Sequence, residues 1–354
     1  MDDIKPNDRV FGMDGQLHAV KNIDPEKLCI CWKLTFDDGA TIICDDEQPW
    51  LTFDAKELEA LTKRTDEFRA HRRQIRPIRV SGRKSEKFSA ALAARNAVYT
   101  PPTIPAPKGT VRRTADIVST LKTARGRTNH AIPVSESVHL PKCDLILDPY
   151  LLGLWLGDGN KDGGGFTTSD DLWKAFKDAG FEVMPSKASR YHYGIHGLVP
   201  YLRELNIFKN KHIPADYLWT TEEQRLALLQ GLMDTDGNCN KNGSVEFVNT
   251  NKNLVDGVAF LLRSLGVKCN VRESRAKLKG RDCGPKWSIK CTPSCIVFRL
   301  LRKAERQKLT NRRTTKLRYI VSAVQVESRP MKRFSIDSSD SLFLAGESFI
   351  VMHC

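Results

Sequence analysis

Two short peptides, LLGLWLGDG and LQGLMDTDG, end in Asp158-Gly159 and, 78 residues later, in Asp236-Gly237. Each apolar stretch reads as a helix that its glycine would stop in the left-handed conformation, so both aspartates are predicted at helix C-termini. A carboxylate at the negative end of a helix dipole is repelled, and a second carboxylate close by adds to that repulsion. A divalent cation relieves both effects, and oxygen ligands of this kind suit Mg²⁺. The pattern predicts two or more divalent ions at a site that hydrolyses phosphodiesters.

Both predicted helices carry start signals, and both have a face of small residues. Asp148 with Pro149 at the first helical position begins one helix, and a capping box, Thr220-x-x-Glu223, begins the other. The small residues are spaced four apart, as Gly153 and Gly157 in the first helix and Gly231 and Thr235 in the second. Such a face lets two helix backbones approach closely, so we expect the helices to pack together. Gly157 and Thr235 would then add main-chain carbonyls to the metal site.

The region from Asp148 to about Lys308 shows the same order of elements twice, which indicates a duplicated half-domain. The second copy is expected to close with a helix from Cys295 to Arg306. Strand patterns occur before this region, in residues 9–44, and after it, in residues 319–351. The simplest architecture is an α+β protein in which both termini complete one all-β module around an inserted core. The predicted boundaries are 1–55 for the N-terminal β segment, 56–145 for a basic helical insert with a Pro-rich linker, 146–318 for the two-repeat core and 319–354 for the C-terminal β segment.

Composition narrows the class of protein. The 354 residues are 40% hydrophobic and 28% charged, and no apolar run approaches the roughly 20 residues that a bilayer requires. The start of the chain lacks the features of a secretory leader, so the ten cysteines are expected to be thiols in the reducing cytoplasm. With no CxxC pair and no histidine at ligand spacing, no zinc site is expected. The chain therefore reads as a soluble protein without membrane partners.

The paired peptides resemble the two motifs of LAGLIDADG homing endonucleases. In that family the motif helices join two αββαββα halves, the sheets saddle the DNA major groove, and the last acidic residue of each motif binds metal. The resemblance covers about residues 148–308 and implies that Asp158 and Asp236 are the metal ligands. A chain with both motifs is similar to the single-chain members, which cut long asymmetric sites in double-stranded DNA as monomers.

Two lysines are candidates for assisting the attacking water. Lys211, in the segment KNKHIP, resembles the lysine of the intein endonucleases that lies near the acidic pair. An ordinary phosphate contact is the alternative role for Lys211. Lys290, on the matching late strand of the second half, is the symmetric candidate.

A basic segment precedes the core. Between Lys63 and Arg127 there are 17 Lys and Arg against 4 Asp and Glu, so this stretch holds most of the net charge of +14. Its cations could face solvent, but beside a duplex-cleaving core they fit phosphate contacts better. The candidate DNA-binding residues are Arg69, Arg72, Arg73, Arg76, Arg79, Arg83, Lys84 and Lys87.

The two ends resemble an intein, or Hint, β module, over residues 3–53 and 320–354. At three positions that splicing requires, an intein has a histidine, a second histidine and an asparagine. In this chain the resemblance puts Gln48, His353 and Cys354 at those positions, in that order. A glutamine side chain does not titrate, and a thiol cannot form a succinimide. We therefore expect splicing to be lost, either in a decayed intein or because the reading frame misses the true junctions. The terminal cysteine is then a frayed end or the nucleophile of the downstream flank.

The leading interpretation is a Mg²⁺-dependent, site-specific double-strand DNA endonuclease in an intein-like frame. A nucleic-acid binder or intron maturase could use the same fold without cutting, and a working self-splicing intein is the third possibility. The intact aspartates favour the nuclease.

Overall fold

The computed structural model of the chain describes residues 4–59, 109–309 and 313–354. Its first part forms the strands β1 to β5, which are Arg9–Phe11, Leu17–Ile23, Lys27–Phe36, Thr41–Asp45 and Pro49–Thr52. Residues 55–59 are helical. After residue 109 the chain forms β6, α1 and β7, which are Thr110–Arg113, Thr114–Ser119 and Ala131–Pro133. The eight basic residues predicted to bind DNA, Arg69 to Lys87, lie outside the described residues.

The first half of the core runs α2, β8, α3, β9, β10 and α4, which are Pro149–Asp158, Gly165–Thr167, Trp173–Asp178, Glu182–Pro185, His192–His196 and Leu198–Glu204. A short helix, α5 (Ala215–Leu218), leads to the second half. That half runs α6, β11, β12, α7, β13, β14 and α8, which are Glu222–Thr235, Gly237–Cys239, Val245–Asn249, Lys252–Ser264, Cys269–Leu278, Arg281–Cys291 and Leu301–Ala304.

The two halves have related sheets that differ in one strand. The second sheet has the order β11-β12-β14-β13, and the first has the order β8-β10-β9. The equivalent of β11 in the first half is a single bridge between Gly159 and Phe166, where the second half pairs Gly237 with Phe247. An αββαββα order is therefore complete in the second half, whereas the described first half lacks one strand. One apolar cluster runs through both halves, with α2 buried from Pro149 to Leu156 at its centre.

Strands from both ends of the chain form the β module. The last part comprises α9, β15, β16, β17 and β18, which are Arg313–Lys316, Leu317–Met331, Phe334–Ile336, Leu342–Ala345 and Ile350–His353. β15 pairs with β3, and β16 pairs with β2. Their apolar faces share a second cluster that includes Leu34, Phe36, Trp50, Ile320 and Ile350. Because the pairs join residues about 300 positions apart, the module closes only when both ends are present.

The basic insert differs from its predicted range of 56–145. β6 pairs with β5, and β7 pairs with β15, so residues 110–133 belong to the β module. Ile117 of α1 is fully buried in the cluster of that module. The alternating pattern of these short strands is hard to distinguish from a loop, and the pairing partners lie far away in sequence.

The helix boundaries were predicted well where local capping sets them. Asp148 caps α2 by accepting hydrogen bonds from the backbone N–H groups of residues 150 and 151, at 2.9 and 3.1 Å. α6 spans Glu222–Thr235, and its N-cap is Thr221, which accepts from Gln224 N at 3.3 Å. The predicted capping box, Thr220-x-x-Glu223, was wrong by one residue, because Thr221 and Gln224 fit the same sequence pattern.

The closing helix predicted from Cys295 to Arg306 is also wrong in its extent. Only Leu301–Ala304 is α-helical, and the apolar residues Ile296, Val297 and Phe298 are buried in the core without regular secondary structure. β-branched residues lower helix propensity, and burial of these three side chains outweighs the helical pattern.

A buried arginine joins the core to the segment that leads from the β module. Arg225 is fully buried and donates to the main-chain carbonyls of Thr220 at 2.9 Å, of Ser264 at 2.8 Å and of Val138. Burial lowers its pKa to about 10. One side chain thus binds main-chain carbonyls of three separate segments. Within the described ranges, no helix is both long and apolar enough to cross a bilayer.

Candidate active site

The helices α2 and α6 cross at their small residues. A Cβ added to Gly153 would lie 2.9 Å from the Gly231 Cα, and a Cβ on Gly231 would lie 2.9 Å from the Gly153 Cα. One turn further on, a Cβ on Gly157 would lie 2.6 Å from the Thr235 Cβ. Real Cβ atoms do not approach this closely, so larger side chains would force the helices apart. This crossing brings the C-terminal ends of the two helices to the same place.

Asp158 is the last residue of α2, and Asp236 is the C-cap of α6. The glycines that follow are not left-handed, which corrects the sequence prediction. Gly159 has φ −73°, and Gly237 begins β11. A Cβ on Gly159 would lie 2.6 Å from the Trp155 ring, so glycine is required there by close packing as the chain leaves directly into extended structure.

The two carboxylates carry unfavourable charge in this setting. Burial and the negative charge of Asp236 raise the pKa of Asp158 to about 6. Burial also raises the pKa of Asp236, against a hydrogen bond of 2.7 Å from Asn249 Nδ2 to Asp236 Oδ2. Among the described residues, nothing donates a hydrogen bond to the Asp158 carboxylate. The Asp158 carboxylate therefore has free oxygen ligands, and burial beside Asp236 disfavours its charged form.

Lys211 lies at the end of α2. Its Nζ donates to the carbonyl oxygens of Gly157 at 3.2 Å and of Gly159 at 2.6 Å, and it lies 5.0 Å from the Trp155 ring centroid. Burial lowers the pKa of Lys211 to about 8, although Asp236 and Asp158 oppose this shift. The lysine predicted from the sequence thus lies beside both aspartates.

Lys303 occupies the corresponding place at the end of α6 and was not predicted from the sequence. Its Nζ donates to four carbonyl oxygens, those of Met233 at 3.0 Å, Asp234 at 2.7 Å, Thr235 at 3.1 Å and Gly237 at 2.6 Å. It is 7% exposed, and burial lowers its pKa. The carbonyls of residues 235 and 237 match those of 157 and 159, which Lys211 holds. Each half therefore contributes one lysine to the end of its own motif helix, half-buried in the case of Lys211 and buried in the case of Lys303.

Lys290, the predicted symmetric partner, lies elsewhere. It is on β14, 58% exposed, and its Nζ is 3.5 Å from Glu246 Oε1 on the neighbouring strand. The choice of Lys290 rested on strand position, whereas the lysine that binds the carbonyls at the end of α6 comes from α8. The only sequence signal for this lysine was a position near the end of each half, and several lysines have such a position.

The donor set fits a hard divalent cation. Two carboxylates with raised pKa values meet beside the main-chain oxygens of Gly157 and Thr235, which are the oxygen ligands that Mg²⁺ and Ca²⁺ take. In the part of the chain that the structure describes, no cluster of three His, Cys, Asp or Glu side chains forms a ligand group. Solvent or substrate oxygens would complete the coordination shell.

The raised pKa of Asp158 predicts that Asp158→Asn stabilises the protein without metal. The folded pKa of about 6 exceeds the ordinary value of 3.8, so this group stabilises the fold when protonated, and that contribution is lost as pH rises from 3.8 to 6. In EDTA at pH 7.5 we expect the variant to gain on the order of 1 kcal/mol, allowing for solvent screening. At pH 4 the gain should vanish. Thermal unfolding at both pH values measures it, and a less stable variant at pH 7.5 would refute the charge argument.

The three residues at the predicted splicing positions lie in the β module. Gln48 Nε2 donates to the main-chain oxygen of His353 at 2.6 Å and to that of Pro49 at 2.9 Å. Cys354 Sγ donates to the Ser341 oxygen at 3.1 Å. The structure thus brings Gln48 and His353 together.

Comparisons with known proteins agree with part of this picture. Residues 223–318 match the family described as a LAGLIDADG-like domain, a range that includes Asp236 and Lys303. The chain is 29% identical over 357 residues to the replicative DNA helicase DnaB of Mycobacterium intracellulare, covering 99% of this chain and 55% of that protein. The chain therefore spans about half the length of this curated relative.

Two solved structures are also similar. The homing endonuclease I-DmoI with DNA and Ca is 17% identical, with 45% of this chain and 94% of that chain covered and a TM-score of 0.31. The same enzyme with DNA and Mn is 17% identical, with 41% and 88% covered and a TM-score of 0.29.

Proposed function

We propose that the chain is a divalent-metal-dependent, site-specific endonuclease of double-stranded DNA, of LAGLIDADG type. One observation carries the proposal: two aspartates lie at the abutting ends of paired helices, and a lysine binds the carbonyls at each helix end. The match of residues 223–318 to a LAGLIDADG-like domain supports it. Mg²⁺ is the proposed physiological ion because the ligands are hard oxygens.

The roles follow from the positions of the side chains. Asp158 and Asp236, with the carbonyls of Gly157 and Thr235, would hold the ions. Bound divalent ions would supply charge neutralisation at the phosphate and a lowered pKa of the attacking water. Lys211, whose pKa is lowered to about 8, can exchange a proton near neutral pH and is proposed to assist that water. We assign Lys303 the same role in the second half.

The solvent faces of the two sheets are the proposed DNA surface. On the second sheet, Arg272 opposes Ser288 on the face opposite Val271 and Ile289, which pack into the core, and Lys290 lies on the same face as Arg272. Lys290 is therefore better placed for a DNA contact than for catalysis. β13 and β14 have 10 and 11 residues, against 4 and 5 for β9 and β10. Ribbons of unequal length fit an asymmetric site read by a monomer.

The basic segment is anchored to the β module at both ends. β5 and β6 pair directly, and Arg112 on β6 binds Asp54 Oδ2 at 2.9 Å and Glu57 Oε2 at 3.2 Å. Residues 60–108 thus begin and end at neighbouring points, which fits a DNA-binding insertion in one hairpin.

Excision of residues 60–108, with a short Gly-Asn linker in their place, is expected to weaken the salt dependence of DNA binding. The eight basic residues between Arg69 and Lys87 would no longer release counterions, so the slope of log K against log salt should fall by up to about 7. Fluorescence anisotropy in EDTA over a salt series measures this. An unchanged slope with an intact melting transition would show that these cations face solvent.

Cleavage of one defined DNA tests the function. The substrate is the gene of the helicase relative with the segment that matches this chain removed, because a homing endonuclease cuts the uninterrupted allele. We expect one double-strand cut in Mg²⁺ and none in EDTA. Tight binding without scission, in Mg²⁺ or Mn²⁺, would identify a nucleic-acid binder or maturase instead.

Protein splicing is the alternative function of the β module. The match to part of a replicative helicase and the closure of both ends into one module favour an intein-like frame. The proposed decay rests on Gln48, whose amide cannot take up the proton that a histidine would. Expression between two reporter proteins separates the cases, since a ligated reporter product would contradict the loss of splicing.

A further inference from the structure

At one buried position the second motif carries a charged side chain where the first motif has an apolar one. Residue 234, two before the second aspartate, is an aspartate, whereas the equivalent residue of the first motif is Leu156. Asp234 is 2% exposed, and Leu156 is 1% exposed. A buried carboxylate is costly unless its oxygens are bonded, so Asp234 requires an explanation that Leu156 does not.

The Asp234 carboxylate binds two other elements. Its Oδ2 accepts from the Tyr150 hydroxyl at 2.8 Å, at the start of α2. Its two oxygens also accept from the backbone N–H of Arg299, at 3.1 and 3.2 Å, and of Leu300, at 3.0 and 3.1 Å. Leu300 is the N-cap of α8 and has no side-chain cap of its own. The carboxylate therefore binds the start of the short helix that carries Lys303.

We propose that Asp234 is a positioning residue for Lys303, fixing the start of α8 so that the Lys303 ammonium reaches the carbonyls at the end of α6. The inference rests on the proposed nuclease function for its catalytic consequence, but not for its structural one. α8 has only four residues and could not hold its own register without a bonded N-terminus. Lys303 follows Leu300 by three residues, so a shift of the helix start moves Nζ directly.

The first half holds its lysine differently. The Lys211 carbonyl accepts from Asn251 Nδ2 at 2.7 Å, and Asn251 is the N-cap of α7. That anchor involves no residue of the first motif, which fits an apolar Leu156. Loss of Asp234 should therefore leave the anchor of Lys211 intact.

The test uses Asp234→Asn and Asp234→Leu in the full chain. Asparagine keeps the shape but has one acceptor oxygen where the carboxylate has two, and leucine reproduces the first motif. Tyr150→Phe is the matched control, because it removes a bond to the same carboxylate and leaves the bonds to residues 299 and 300. Two readouts are taken: amine-reactive labelling of Lys303, followed by mass spectrometry, and the cleavage rate of each strand at saturating DNA.

We expect Lys303 labelling to rise at least about tenfold in both Asp234 variants and to stay at the wild-type level in Tyr150→Phe. The strand that is slowed by Lys303→Met should slow at least about tenfold in Asp234→Asn, a fraction of what a general acid–base group contributes. The other strand should keep its rate, and Asp234→Asn should add nothing in a Lys303→Met background.

Protection of Lys303 in the Asp234 variants would overturn the inference, as would equal slowing of both strands. If wild type cuts no DNA but labelling rises as expected, the positioning stands and the nuclease proposal fails. The two results are thus separable.

Discussion

Replacing Asp158 or Asp236 by asparagine is expected to abolish DNA cleavage and to leave DNA binding intact. Each substitution removes a negatively charged ligand from the proposed metal site, while the amide keeps the shape of the side chain. Metal ions supply several kcal/mol of charge stabilisation, so the rate should fall about a thousandfold or more. Single-turnover cleavage in Mg²⁺ and binding in Ca²⁺ measure the two effects separately.

Asp171→Asn is the matched control for this experiment. It makes the same change of charge in the same half, on a side chain that is 74% exposed and paired with Lys174 at 2.6 Å. It should cut like wild type. Cleavage by the Asp158 and Asp236 variants within about tenfold of wild type would show that the acidic pair is not the metal site.

Lys211→Met and Lys303→Met are each expected to slow mainly one DNA strand, and not the same one. Each lysine lies at the end of one motif helix, and a double-strand break requires two separate hydrolyses. Loss of a proton-transfer group costs about 100- to 10,000-fold, so nicked circular DNA should accumulate from a supercoiled plasmid. End-labelling of either strand identifies which one each lysine serves.

Lys290→Met distinguishes this arrangement from the one that sequence alone favoured. The exposed Lys290 on β14 should affect the apparent affinity and the salt dependence, but not the rate at saturating DNA. The assignment of Lys303 would be refuted if Lys290→Met produced the nicked intermediate and Lys303→Met did not.

Local signals in the sequence predicted several features that the structure contains. The start of α2 follows from Asp148 and Pro149, whose capping and fixed φ act within a few residues. Strands lie in the predicted ranges 9–44 and 319–351, as Leu342–Ala345 does, because alternation and turn residues are also local. Errors arose where distant contacts decided the outcome. Residues 296–298 are buried in the core and are not helical. Residues 110–133 contain strands that pair with distant segments of the chain.

By itself, the sequence determined the two motif helices, the small residues on their facing sides and the acidic residue that ends each one, because helix periodicity and capping are written in neighbouring residues. Only the tertiary structure decided which lysines reach those aspartates. Lys303 is 67 residues from Asp236 along the chain, and its Nζ is placed by the fold of α8 against α6. No spacing rule encodes that contact, because burial and hydrogen bonding to orphaned helix-end carbonyls select the lysine after the chain has folded.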